Sequence, residues 1–155
     1  NEVERLADLV GPPARVGDVV CTRAFQASVG CIDVARGTLV WSKTVTGSQG
    51  LGGDATLVVG GDANDRVTAW KANSGDTAWS HERVMHRGLS GAVVLPKAVV
   101  FGDGDGVLHF FDRATGATLQ QLPTDGGAAL GTPVRAGRHV VVVKRNGLVH
   151  GIAVD

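Results

Sequence analysis

The segment "CIDVARGTLVW", residues 31–41, runs from an apolar strand to an acid, turns on Gly37 and reaches Trp41 four residues later. Close variants return as "AWKANSGDTAW" (69–79) and "FFDRATGATLQ" (110–120), so the unit to be explained is a repeat. The marker glycines Gly37, Gly75 and Gly116 stand 38 and 41 residues apart, and Val20, Val58 and Val99 each precede theirs by 17. Such a period, with a fixed interior register, is that of a propeller blade.

Each copy parses alike. A short inner strand ("PARV", "GLGG", "AVVL", "TPVRA") turns at Gly17, Asp54, Pro96 or Gly137 into a β-branched strand, then come a polar hairpin, a third strand, the glycine turn and a fourth strand. The sequence therefore predicts an all-β fold, a β-propeller of about four four-stranded antiparallel blades. Blades are expected over 12–47, 51–86 and 89–124, with an incomplete blade over 130–155 and an interblade segment over 1–11. Counting 17 residues on from Val141 passes Asp155, so the last blade is expected to lack its outer strand. Its unpaired edge invites another chain, the protein's own terminus, or a second copy of this half. Half of a larger ring is the favoured arrangement, and self-association of half-rings through open strand edges is a possible mode.

Within the phrase, glycine takes the positive φ of a tight turn, the acid caps turn amides, and Trp41 or Trp79 spreads an apolar face on the next blade. Gln120 replaces the tryptophan in the third copy, so that junction is expected to pack less well.

Composition agrees with strands and turns: 23 glycines, abundant valine, no tyrosine. Fifteen basic residues balance fifteen acidic ones, which argues against a nucleic-acid partner. Apolar runs such as "HVVVV" (139–143) are far shorter than the roughly 20 residues of a membrane span. The opening "NEVERL" has neither a starting Met nor an apolar leader, so the expectation is a removed signal or an excerpt.

Cys21 and Cys31 lie on the two arms of one predicted hairpin turning near Gln26 and Ala27. A three-residue loop sets them opposite each other, ready for a disulfide, whereas a two-residue loop points them to opposite faces as free thiols. No metal site is expected from two cysteines without a histidine pair.

"GDGDG" (102–106) begins like a calcium loop but lacks the later Glu, and reads as a hairpin turn, as does "GGDANDR" (60–66). His81 and His86, five apart, read as surface loop residues. His109 and His150 occupy equivalent third-strand positions, which points to a repeated packing or hydrogen-bonding role. His139 opens a strand, and Ser90 in "GLSGA" lacks the frame of a nucleophile elbow. No catalytic residue, cofactor or metal is assigned.

The repeated phrase resembles the tryptophan-docking repeats of the quinoprotein (PQQ-like) propeller superfamily. "ERLADLVGPP", "CTRAFQASVGCIDVARGTLVW", "NDRVTAW", "MHRGLSGAV" and "VVFGDGDGVLHFFDRATG" resemble, in order, the C-terminal half of the BamB family, lipoproteins of the outer-membrane β-barrel assembly machinery. The resemblance implies an eight-bladed ring whose earlier blades and lipidated Cys lie upstream of Asn1. It also implies a non-catalytic scaffold on the periplasmic side of the outer membrane that binds the POTRA domains of BamA. "ERLADLV" is similar to the family's partner-binding interblade loop, so Arg5 and Asp8 are the implied contact residues, while Val10 stands where some members carry a second acid. The enzymatic alternative is a fragment of a quinone-dependent dehydrogenase, which needs a full ring, a calcium site and a catalytic Asp. A generic propeller interaction module is the other alternative. WD repeats do not fit, because Trp41-Ser42, Trp70-Lys71 and Trp79-Ser80 lack the Trp-Asp pair.

Overall fold

Valine is the commonest residue in the strands, where its branched side chain packs well on a pleated surface. The computed structural model describes residues 8–154, which contain strands and turns and no helix. The first blade holds Leu9–Val16 (β1), Val19–Ala24 (β2), Ser28–Asp33 (β3) and Thr38–Thr44 (β4). The second holds Gly52–Gly53 (β5), Leu57–Gly61 (β6), Val67–Lys71 (β7) and Thr77–His81 (β8). Val93–Val94 (β9), Ala98–Gly102 (β10), Val107–Asp112 (β11) and Thr118–Pro123 (β12) make the third, and Val134–Ala136 (β13), His139–Val143 (β14) and Val149–Ala153 (β15) the fourth. Strands pair antiparallel in chain order within each sheet, and the last sheet has three strands where the others have four.

Two details differ from the sequence reading. β1 starts at Leu9, inside the expected interblade segment, because Leu9 and Val10 pair with Ala24 and Arg23 before a register shift carries the chain past Gly11, Pro12 and Pro13. Proline has no N–H to give a ladder, so the irregularity falls where it costs least. In the fourth blade Val140, not Val141, is the counterpart of Val99: it pairs with Arg135 and Ile152 as Val99 pairs with Val94 and Phe111.

Directly opposed residues on neighbouring strands share a face. Ala14, Cys21, Cys31 and Trp41 form one such row, facing Leu51, Val58, Trp70 and Ala72 of the second blade. Val59, Ala69 and Trp79 face Val99, Phe101 and Phe111 of the third. Val100, Leu108 and Phe110 face Val140 and Val142 of the fourth. The core is thus three layers, one between each pair of successive blades.

The opening phrase builds the outer part of two of these layers. A register shift recurs at one place in each of the first three blades, after Cys31, Ala69 and Phe110, and sets Trp41 opposite Cys31, Trp79 opposite Ala69 and Gln120 opposite Phe110. The Trp41 indole lies against Gly75, whose φ is 74°, and its Nε1 donates to the Ala72 carbonyl at 2.8 Å. Trp79 repeats this on Gly116 (φ 72°), donating to the Arg113 carbonyl at 2.8 Å. Gly37 has the same conformation (φ 65°) and nothing over it. Gln120 is exposed and β12 fully buries no side chain, as the missing tryptophan led us to expect, so the third junction rests on its inner strands.

The β2–β3 loop has three residues, closed by the Ala24–Ser28 pair with Gln26 at φ 50°. Of the two loop lengths open from sequence, this is the one that opposes the cysteines, and Cys21–Cys31 is a disulfide within the first interblade layer.

Candidate interaction face

Antiparallel order brings the hairpin between the second and third strands of each blade to the same end as the linker leaving its fourth strand. That end carries the linkers around residues 46–50, 85–91 and 124–131, and each is fixed by a buried or hydrogen-bonded charge. Arg23, on β2, is fully buried and donates to the carbonyls of Gln49 (2.8 Å), Thr46 (2.8 Å) and Gly61 (2.6 Å). Burial pushes its pKa down, and the Asp62 carboxylate partly offsets that. Asp65, held at φ 66°, accepts the N–H groups of Gly88 (2.7 Å) and Leu89 (3.1 Å). Lys144 is buried after β14 and donates to the carbonyls of Gly127 (2.9 Å) and Gly106 (3.2 Å), its pKa lowered by burial.

A second group of charges braces the middle linker. Asp103 is buried at the end of β10, where it accepts from His109 Nε2 (2.7 Å), from the N–H groups of Asp105 (3.0 Å) and Val107 (2.9 Å), and from Arg87 (3.3 Å). Burial alone would raise its carboxyl; the hydrogen bonds from His109 and the backbone outweigh this and hold it below the usual carboxylate range. Ser90 Oγ accepts the Gly102 N–H at 2.9 Å. Between these loops lies a cleft of about 310 Å³ lined by Gln49, Ser90, Asp103, Gly104, Ala129 and Arg145 among others.

The opposite end is tied differently. Arg113 forks onto Asp54, with Nη2 to Oδ1 at 2.9 Å and Nη1 to Oδ2, and Nη2 also donates to Thr56 Oγ1. Burial works to raise the Asp54 carboxyl, but Arg113 and the N–H groups of Thr56 and Leu57 drive it far below its ordinary value. The same pair raises the pKa of Arg113.

Of the residues singled out from sequence, Gly75, Gly116, Trp41 and Trp79 come together at the blade junctions and Gly37 stands open. Asp8 is exposed at the linker end, its carbonyl accepting the Phe25 N–H at 2.8 Å. Arg5 lies outside the described residues. The reading of His81 as a surface loop residue is corrected: it ends β8, its ring stacked on Trp79 (interplanar angle 3°) and tilted against Phe111, with Nε2 buried and unpartnered. His86 is in the linker as expected. His109 and His150 do sit at equivalent positions and both form hydrogen bonds, His109 to Asp103 and His150 Nε2 to the Asp125 carbonyl at 3.1 Å. The reading of "GDGDG" and "GGDANDR" as turns holds, but it missed that Asp103 and Asp65 turn inward to hold a linker. Among the described residues no three His, Cys, Asp or Glu gather as metal ligands would.

Stacked antiparallel blades, tryptophans docked on glycine turns and linkers pinned at one end define a propeller of the PQQ-like repeat class that carries its linkers on a stiff frame. The sequence profile described as "Outer membrane protein assembly factor BamB" matches residues 1–81, and the chain belongs to that family. The assembly factor BamB of Burkholderia pseudomallei is 37% identical over 151 residues, covering 97% of this chain and 40% of the relative. Among solved structures, BamB from Moraxella catarrhalis matches with a TM-score of 0.82 at 21% identity, covering 90% of this chain and 41% of that one. The computationally designed Ika4 protein matches at 0.79 and 19% identity, covering 99% and 95%. The chain therefore spans well under half the length of its BamB relatives.

Proposed function

We propose that the chain is a non-catalytic scaffold of the outer-membrane β-barrel assembly machinery, which presents its linker end to the POTRA domains of BamA on the periplasmic side of the outer membrane. The observation that carries this is the pinning of three successive linkers by Arg23, Asp65 and Lys144. Loops fixed in advance bind with little further ordering cost, so the energy of contact goes into affinity. Family membership supports the assembly role, and the disulfide within a blade junction suits an oxidising compartment such as the periplasm.

Asp8 sits at this end, exposed and anchored only through its backbone, so its carboxylate is free to meet a cationic partner group. Arg5, three residues earlier in "ERLADLV", is the implied companion. Isolated BamA POTRA domains should bind the chain in calorimetry, and Asp8→Arg should weaken that binding by about tenfold through like-charge contact. Absence of binding by the unaltered chain at high micromolar concentration would overturn the reading. Binding that is indifferent to Asp8→Arg would remove Asp8 from the contact.

A further inference from the structure

The junction between the first and second blades departs from the two that follow it. Trp70 of β7, Phe111 of β11 and Ile152 of β15 hold one equivalent position, opposite Val58, Val99 and Val140. Two residues earlier, Thr68, His109 and His150 are equivalent, opposite Gly60, Phe101 and Val142. A hydrogen-bonded imidazole thus stands at this position in the third and fourth blades, His109 on Asp103 and His150 on the Asp125 carbonyl. Thr68 is shorter, and its hydroxyl bonds only to Ser80 Oγ at 3.0 Å. A groove of about 600 Å³ is left there, lined by Thr68, Ser80 and Trp70 of the second blade, by Lys43 of β4, and by Asp62 and Arg66 of the β6–β7 hairpin. Its volume is within the range of ligand-binding clefts.

This groove holds a donor in want of an acceptor. Trp41 and Trp79 each give their indole N–H to a backbone carbonyl at 2.8 Å, as buried indoles ordinarily do. Trp70, only 4% exposed, has no acceptor for Nε1 among the described residues, yet that nitrogen is not sealed from solvent as His81 Nε2 and His109 Nδ1 are. Trp70 borders the groove, so its N–H opens into it. Lys43 is exposed beside it, its ammonium without a partner among the described residues. The carboxylate of Asp62 is already occupied: it accepts the N–H groups of Asn64 (2.8 Å) and Arg66 (3.0 Å) and faces the buried Arg23. Arg66 in turn pairs with Glu82. The free chemistry of the groove is therefore one deep N–H donor, one cation and the exposed hydroxyls of Thr44 and Thr77. We propose that it binds an extended acidic peptide segment of a partner protein, one backbone carbonyl accepting the Trp70 N–H and a carboxylate meeting Lys43. A glycan suits it less well, because so deeply buried a tryptophan offers no ring face for a sugar to stack on. The hydroxyls can serve as acceptors for peptide N–H groups. Nothing here depends on the BamA reading, and the probes below contain no POTRA domain, so either can fail alone.

Proton–nitrogen NMR of the whole chain tests it, since each of the three tryptophans gives one indole signal and Trp70→Phe identifies that of Trp70. In the free protein the Trp70 N–H should exchange with solvent much faster than those of Trp41 and Trp79. Titration at low salt with an end-blocked octapeptide of alternating aspartate and glycine should shift the Trp70 signal and slow its exchange, while the asparagine counterpart of the peptide should bind at least about tenfold more weakly. Lys43→Glu should weaken binding of the acidic peptide by about tenfold through like-charge contact, and Trp70→Phe by about fivefold through loss of one hydrogen bond. Lys43 is exposed, so its replacement should leave circular dichroism and the thermal midpoint unchanged and keeps the test open should Trp70→Phe disturb the packing. A Trp70 N–H that exchanges as slowly as the other two would overturn the proposal. So would the absence of any shift up to millimolar peptide, equal binding of the asparagine peptide, indifference to Lys43→Glu, or a shift produced by oligogalacturonate and not by the peptide.

Discussion

Gly37, Gly75 and Gly116 allow the tryptophan cradle to be weighed apart from the turn that forms it. All three are left-handed, at φ 65°, 74° and 72°, so alanine at any of them carries the same backbone penalty, about 1–2 kcal/mol. What differs is the space. A Cβ at Gly75 would stand 2.6 Å from the Trp41 indole, and one at Gly116 2.4 Å from that of Trp79, both against backbone-anchored rings; at Gly37 it meets nothing within 4 Å. Relieving such overlap means moving the indole, at a cost of about 1–3 kcal/mol for overpacking, and stretching its bond to Ala72 or Arg113. Gly37→Ala should therefore cost about 1–2 kcal/mol, and Gly75→Ala or Gly116→Ala about 2–5. Urea unfolding at one fixed protein concentration reads the difference, and a fixed concentration keeps any association from entering the comparison. Equal losses at Gly37 and Gly75 would refute the cradle, since the shared strain would then account for everything.

The remaining predictions concern the buried charges and the disulfide. Arg23→Leu should destabilise by about 3 kcal/mol or more, because three carbonyls lose their donor at once, and it should speed amide exchange at residues 46–50; native-like exchange there would dismiss Arg23 as the clamp. Stability should fall in two stages on acidification. His81, held below its ordinary 6.5 by burial and by Arg83, contributes fully above about pH 6.5 and loses that contribution as pH falls, because the unfolded chain takes the proton first. Asp103 and Asp54, both held low, contribute above about pH 4 and lose that contribution below it. His81→Phe should remove the first stage alone, as denaturation midpoints across pH would record. Reducing Cys21–Cys31, which closes a separation of 10 residues, should cost roughly 3 kcal/mol, read from unfolding with and without reductant.

The blades were legible because everything that defines them is local. Valine alternation, hairpin loop length and a glycine four residues before a tryptophan all act within about 40 residues, and their repetition separates them from chance. The pinned linkers were not legible, because they depend on which way a side chain leaves its sheet and on what the neighbouring blade places there. Asp65 and Gly88 are 23 residues apart, and Arg23 and Gly61 38. One signal was present. Along β2, burial alternates so that Val19, Cys21 and Arg23 share a row, which puts a guanidinium on the core side of a strand. In the second and third blades the position equivalent to Arg23 is Gly61 or Gly102, so the charge departs from the repeat as well as from the pattern. Asp103 and His109 gave a similar hint, an acid and a histidine on the two arms of one hairpin.

The sign of each clamp follows from what its linker turns inward. Residues 46, 49 and 127 point carbonyls at the interior, and cations meet them; residues 88 and 89 point N–H groups, and a carboxylate meets those. Arg23, with three carbonyls in divergent directions, needs the fan of donors that a guanidinium has, while Lys144 serves two with a single ammonium. An apolar side chain at these places would pack equally well but leave the backbone groups unpaired, which is the costlier state in a low-dielectric interior. The charges thus exist because the linkers are irregular, and the linkers are irregular because they cross between blades. A propeller built on this plan can vary the exposed side of each linker without touching the groups that hold its inner side, and that separation is what lets one rigid frame carry a recognition surface.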